Sequence, residues 1–412
     1  MAYSGSALQR ETVTMILAGG QGERLHPLTG MRTKPSVPFG GKYRIIDFAL
    51  SNCLNSGFRK IYVLTQYKSD SLNQHIYEAW NIFNPELGEF IYSIPPQQKT
   101  GNEWYQGTAD AIYQNLNLMR QRDYRWCVIL NGDNIYKMDY MKMLQYHIEK
   151  KADLSISNII TPKDEATRFG IIEIDEDYNV LSFVEKPESP PEIPGKPGFA
   201  FANMGIYIFN IEVLTAVIKE LVDQKVPNLD FGKHIIPHMV DSKYNVRAYR
   251  FEDEDNPEKP YWVDVGTIES YYKASMDLLS VNPEFNLYDF NWPLRTMQRQ
   301  LPPAKTLSHE GERVGRAINS LVTDGTIISG GLVERSIIGP NVKVNSFTYI
   351  TDSIIMDNCN IGRHAKIRRA IIDKNVHVPE REEIGFDPDT DRKRFKVSDT
   401  GIVIIPKNYQ FK

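Results

Sequence analysis

The chain has 412 residues, 41% of them hydrophobic, and a formal net charge of -4. That length exceeds one ordinary core, so two domains are expected, and the lack of any basic excess argues against nucleic acid as a partner. Three cysteines, Cys53, Cys127 and Cys359, without C-x-x-C spacing suggest neither a disulfide framework nor a zinc site; with no apolar leader or membrane-length apolar run, a soluble cytoplasmic protein without a membrane partner is expected.

From Thr12 to about Ser280, short β-rich runs alternate with helical patterns, which predicts a mostly parallel sheet covered on both faces. The first run, "VTMILAG", feeds "LAGGQGERLHPLT", Leu17 to Thr29. A Walker loop needs Gly-Lys-Ser or Gly-Lys-Thr, and neither occurs; a dinucleotide fingerprint needs a glycine where Leu25 stands. What remains is Gly19-Gly20-x-Gly22-x-Arg24, with Lys34 ten residues on. It is either a cationic loop around a triphosphate or a tight turn with a solvated arginine. "KIYVLTQ", "CVILNGD" and "DLSISNI" read as further strands, and "SLNQHIYEAW", "TADAIYQNLNLM" and "IEVLTAVIKELV" have helical spacing. Ligands of such sheets sit beyond the carboxyl ends of the strands, which puts the opening loop, Gln66 and Asp133 along one rim.

Asp133 in "VILNGDNIY" and Asp264 in "YWVDVGT" both follow apolar runs. A hard cation such as Mg²⁺ takes oxygen ligands and is commonly held by one or two carboxylates plus substrate phosphates; either aspartate could instead cap a turn. Thr267 is placed to cap the next helix, which frees Asp264 from that duty. In "FVEKP", Lys186 offers a point charge for a phosphate and Glu185 an acceptor for sugar hydroxyls, unless the two form a surface pair. "WYQGTADAIYQNL" adds a turn at Gly107, with Thr108 as the expected helix N-cap; Trp104 and Tyr105 suit either a base or the core.

Beyond Ser280 the texture changes. The Pro-, Asn- and Asp-rich stretch 281–310 reads as a linker, ending a catalytic domain of residues 1–280. In 311–412, Leu321, Ile327 and Val333 stand six apart, as do Ile338, Val344 and Ile350, then Ile355, Ile361 and Ile367, with Ile372 and Val378 opening a fourth set. The sets recur every 17 residues, which predicts a triangular parallel β-helix with a stacked aliphatic core. With only His364 and His377 inside the coils, acyl transfer is the weaker role for it, and packing and oligomerisation the plainer one.

Taken together, "LAGGQGERLHPLT", "NGD", "FVEKP" and "YWVDVGT" followed by a hexapeptide β-helix resemble the sugar-nucleotide pyrophosphorylases. "VPFGGKYRIIDFALSNCLNSG", "VLTQYKSDSLNQHI", "QGTADAIYQNL", "MGIYIFN", "LDFGKHIIP" and "NWPLRT" narrow the resemblance to the bacterial ADP-glucose pyrophosphorylase family, from about Val13 to Lys407. The fold it implies is α/β: a Rossmann-like nucleotidyltransferase domain followed by a left-handed parallel β-helix. The reaction it implies joins ATP and α-D-glucose 1-phosphate to give ADP-glucose and pyrophosphate, the committed step toward glycogen or starch.

By the same resemblance, Leu17, Ala18, Gly19, Gly20 and Gln66 hold the nucleotide, with Gly107 in the adjoining turn, and Arg24 and Lys34 hold its β- and γ-phosphates. Glu185, Lys186, Asn203, Tyr207, Asp230 and Trp262 line the glucose 1-phosphate site, and Tyr105 and Gly170 touch the nucleotide sugar. Asp133 and Asp264 hold Mg²⁺. Asn203 stands where many members have serine. A homotetramer is expected, controlled by phosphorylated effectors bound between domains and subunits, with Arg44, Arg368 and Arg369 as candidate clasps. A relative acting on UTP or dTTP, or making GDP-mannose, has the same shape. A noncatalytic regulatory subunit would not be expected to keep Arg24, Lys34, Asp133, Lys186 and Asp264 together.

Overall fold

The computed structural model describes residues 5–97, 104–120, 123–193, 195–253, 257, 260–309 and 313–411. The strand Thr12–Ala18 is central to a nine-stranded sheet, with Val13, Met15 and Ile16 fully buried, as a parallel strand covered on both faces requires. Lys60–Thr65 and Trp126–Asn131 flank it in parallel, and Phe90–Ile94 extends the parallel side. Beyond Trp126–Asn131 the sheet turns antiparallel, except that the ninth strand, Val246–Arg250, pairs in parallel with Leu154–Pro162. The long strand Phe199–Asn210 pairs there with Leu154–Pro162 and Gly170–Ile174, and Val180–Glu185 closes the edge. The four-stranded parallel half therefore ends in the glycine loop, while the antiparallel half builds the opposite wall of the same rim.

Helices Asp70–Ala79 and Ile211–Asp223 form where the spacing predicts them. "TADAIYQNLNLM" instead makes two short helices, Thr108–Tyr113 and Leu116–Arg120. Thr108 does not cap the first. Its hydroxyl donates to Asp230 Oδ2 at 2.8 Å and accepts from Phe231 N at 3.2 Å, tying this helix to the segment after Leu229. Thr267 does cap Ile268–Asp277, in a reciprocal box with Ser270.

The connection after the catalytic sheet is irregular but pinned. Trp292 Nε1 donates to Asn52 Oδ1 at 2.8 Å, Arg295 N to Ser51 Oγ at 2.9 Å, and Lys137 pairs with Asp289 at 2.9 Å. The β-helix then begins ahead of residue 311, because Lys305–Leu307 already pairs in parallel with Ile327–Ser329. Three sheets follow, parallel except where Lys396–Val397 pairs antiparallel with Val403–Ile405, with partners standing 17 residues apart in most coils, as in Lys343↔Asn360 and Tyr349↔Lys366. The first coil departs from the expected register: Leu321 pairs with Ile337 and Ile327 with Lys343, one residue short. Ile328 is consequently fully buried and Ile327 is 37% exposed, the reverse of the spacing's prediction, since side chains alternate faces along a strand.

The two domains share a core in which Leu25, Val37 and Phe39 pack with Ile337, Ile354, Ile371 and Ile404. Arg32 forms a fully buried ion pair with Asp373, Tyr272 donates to Asp352 O at 2.6 Å, and Lys396 Nζ donates to His26 O at 2.6 Å. All three cysteines are buried and unpaired, and no helix among the described residues is long and apolar enough to cross a membrane.

Candidate functional site

A cleft with two lobes opens along the rim. The larger, about 760 Å³, is lined by Leu17, Ala18, Gly19 and Gly20, which end the central strand, and across from them by Gln66, Tyr105 and Gly107. Gln66 Nε2 donates to Tyr105 O at 3.4 Å, so these two flanking loops meet at its mouth. Trp104 stays outside, stacked on Tyr67 at 5.9 Å.

The second lobe, about 260 Å³, is lined by Glu185, Lys186, Asn203, Tyr207, Asp230, Trp262 and Asp264. Its back wall is a bulge. The register of Phe199–Asn210 slips between Asn203 and Tyr207, and Gly205 sits at φ 72 with its missing Cβ only 2.1 Å from Asn131 Nδ2, so no side chain fits. The bulge aims Asn203 Nδ2 at Tyr207 Oη, 2.7 Å away, and Asn203 Oδ1 accepts from Gly205 N at 2.8 Å. Burial keeps the Tyr207 phenol protonated well above its usual range. Asp230 is held by Gly232 N, Lys233 N and Thr108, and the Trp262 indole Nε1 is buried without a hydrogen-bond partner among the described residues.

Arg24, Lys34 and Asp133 line both lobes, at the seam. Lys34 Nζ lies 2.9 Å from Asp133 Oδ2 and 2.6 Å from Asp264 Oδ1, and Arg24 stands 3.8 Å from Asp264. Burial alone would lower the Lys34 pKa; the two carboxylates outweigh it and raise it, so the side chain is a fixed cation. Among the described residues no group of three or more His, Cys, Asp or Glu could hold a metal ion. Two carboxylates are nonetheless a donor set that Mg²⁺ accepts when substrate phosphates complete its shell, so Asp133 and Asp264 fit the expected ion.

Gly170 is absent from the lining of both lobes; it is buried in its strand, where a Cβ would fall 2.4 Å from the Phe183 ring and 2.9 Å from Glu185 Oε2, so the glycine leaves room for the glutamate that lines the smaller lobe. Within the single chain the three candidate effector arginines do not line one cavity. Arg44 donates to Ser36 O at 2.6 Å and lines an interdomain cavity with Lys42, Arg299, Asp357 and Lys374. Arg369 lies over the Tyr272 ring at 5.6 Å and Arg368 over Phe386 at 4.6 Å, and neither lines that cavity. The structure also adds Asn131 and Arg168 to the lining. Asn131 was within reach of sequence reasoning as the polar end of "VILN"; Arg168, a lone arginine after a short helix, carries no sequence signal.

Residues 13–281 match the nucleotidyl transferase family, and residues 302–405 match the GlmU-like C-terminal hexapeptide family. The chain is 50% identical to a glucose-1-phosphate adenylyltransferase of Methylococcus capsulatus, over 97% of this chain and 94% of that one. It is 49% identical to glucose-1-phosphate adenylyltransferase 2 of Vibrio cholerae, over 98% and 99%, and 48% identical to the Koribacter versatilis enzyme of the same name, over 97% and 96%. With both lobes, the seam between them and near-full-length identity of about one half, the chain belongs to the glucose-1-phosphate adenylyltransferase family of nucleotidyl transferases.

Proposed function

We propose that the chain transfers the adenylyl group of ATP to α-D-glucose 1-phosphate, releasing pyrophosphate, as a cytoplasmic enzyme of glycogen synthesis. The observation that carries this is the seam: Arg24, Lys34 and Asp133 face both lobes, so two polyanions brought into them meet over the same charges. ATP takes the larger lobe, its base beyond Gln66 and Tyr105 and its β- and γ-phosphates at Arg24 and Lys34. Glucose 1-phosphate takes the smaller, its hydroxyls at Glu185, Asn203, Asp230 and Trp262 and its phosphate near Lys186.

The sugar phosphate oxygen attacks the α-phosphorus in line and pyrophosphate departs, so the protein supplies position and charge rather than a covalent group. No base is required, because the attacking phosphate is already ionised near neutral pH. Arg24 and Lys34 stabilise charge developing on the leaving pyrophosphate. Asp133 and Asp264 would hold Mg²⁺, which supplies further neutralisation of the phosphates when bound.

The resemblance further supports a homotetramer and phosphorylated effectors. We place a phosphate of the effector against the narrow cavity of Lys42, Arg44, Arg299 and Lys374, about 30 Å³, where both domains contribute cations; the rest of the effector lies outside it.

The test of the reaction is pyrophosphate release with glucose 1-phosphate and each of five nucleoside triphosphates. ATP with Mg²⁺ should give the highest kcat/KM and EDTA should abolish turnover. Equal or faster turnover with UTP or dTTP would overturn the adenylyl assignment.

A further inference from the structure

Four cations line the smaller lobe, and three are already engaged. Lys34 sits between Asp133 and Asp264, Arg24 lies 3.8 Å from Asp264, and Lys186 Nζ is 3.1 Å from Glu185 Oε1. The fourth, Arg168, is exposed, and among the described residues its guanidinium has neither an acidic partner nor a hydrogen bond.

The backbone holds Arg168 in place although its side chain is free. Its N–H donates to Glu165 O at 3.4 Å, ending the turn after the helix Lys163–Ala166. The next residue is anchored twice: Phe169 O accepts from Lys186 N at 3.0 Å, and the Phe169 ring meets Trp262 edge-on at 5.2 Å. Arg168 and Lys186 therefore stand on neighbouring chains at one lip of the lobe, Arg168 beside the floor that Trp262 makes.

Bringing a dianion to this lip is opposed by Glu185, which already offsets the Lys186 charge. A guanidinium with five donors and no internal partner is the group best able to tip that balance, because its planar fork takes two phosphate oxygens at once. We propose that Arg168 binds the phosphate of the incoming sugar 1-phosphate and, with Lys186, makes the lobe selective for a phosphorylated sugar. This rests on the substrate reading above. The contact is made by substrate and transition state alike, so it acts on KM more than on kcat.

The experiment is steady-state kinetics of wild type, Arg168→Gln and Arg168→Lys, varying each substrate against saturating levels of the other, at low and high salt. Arg168→Gln should raise KM for glucose 1-phosphate about tenfold or more while KM for ATP moves less than about threefold. Arg168→Lys should recover part of the loss, and the wild-type KM for glucose 1-phosphate should rise more steeply with salt than that of Arg168→Gln. An active wild type whose Arg168→Gln variant keeps KM for glucose 1-phosphate within about twofold overturns this proposal alone. A wild type inactive on glucose 1-phosphate overturns the substrate reading, and this proposal with it.

Discussion

Lys34 spans the two aspartates of the seam, so each carboxylate has an internal counter-charge when no ligand is bound. That makes Asp133→Asn a clean substitution. The amide is nearly isosteric, Lys34 keeps Asp264 at 2.6 Å, and the melting temperature should move little. The carboxylate proposed to hold Mg²⁺ is lost, however. If that ion supplies several kcal/mol of transition-state stabilisation, losing about 4 kcal/mol lowers kcat about a thousandfold. ATP affinity should fall far less, since Arg24, Lys34 and the glycine loop remain. A folded variant retaining more than about a tenth of wild-type kcat would reduce Asp133 to a structural role. Asp133 and Asp264 were legible because each follows an apolar run and chain order does not matter on a rim. Lys34 was legible as a cation of the glycine loop, but its place between the two aspartates was not, because no local pattern reports which side chain fills a gap formed by strands far apart in sequence. Arg168 was invisible for the same reason.

At the scale of elements, the β-helix was the most legible part, since a stacked aliphatic core imposes one inward position every six residues. The misplaced first coil shows the limit of that reasoning. Leu321 and Val322 are both aliphatic, as are Ile327 and Ile328, so the pattern cannot tell which of each pair points inward; only pairing to the next coil decides it. The consequence is measurable. Ile328→Ala should cost about 2–4 kcal/mol in denaturant unfolding, as for a buried isoleucine, and Ile327→Ala less than about 1 kcal/mol. Equal effects, or the reverse order, would restore the sequence register. The bulge at Gly205 was equally hidden. "NMGIYIF" reads as an uninterrupted strand, and the close approach of Asn131 that demands a glycine comes from a different strand.

The whole molecule is two domains sharing one core, and the interdomain cavity collects charges from both. Burial and the neighbouring Arg44 press the Lys374 ammonium down to about 7, while Lys374, Arg299 and Arg44 overcome burial to hold Asp357 below its usual range. A phosphorylated effector there should restore full charge to Lys374. Activity measured against sugar phosphates and phosphorylated glycolytic intermediates should show a concentration dependence that Lys42→Ala weakens. Lys42 is exposed and so safe for folding, whereas Arg44→Ala also removes the bond to Ser36 O. An identical response in both variants and wild type would empty the proposed site. The segment from Gly19 to Ser36 reaches both domains: Gly19, Gly20, Arg24 and Lys34 face the larger lobe proposed for the nucleotide, while the His26 carbonyl and the Arg32 guanidinium are fastened to the β-helix. Only Thr33 separates Arg32 from Lys34 in the chain, so the strap cannot tighten around one neighbour without altering its grip on the other. Linkage runs both ways. A nucleotide that orders this strap is also a fastener between the domains, and whatever loosens the domain seam must be answered by a weaker hold on the nucleotide.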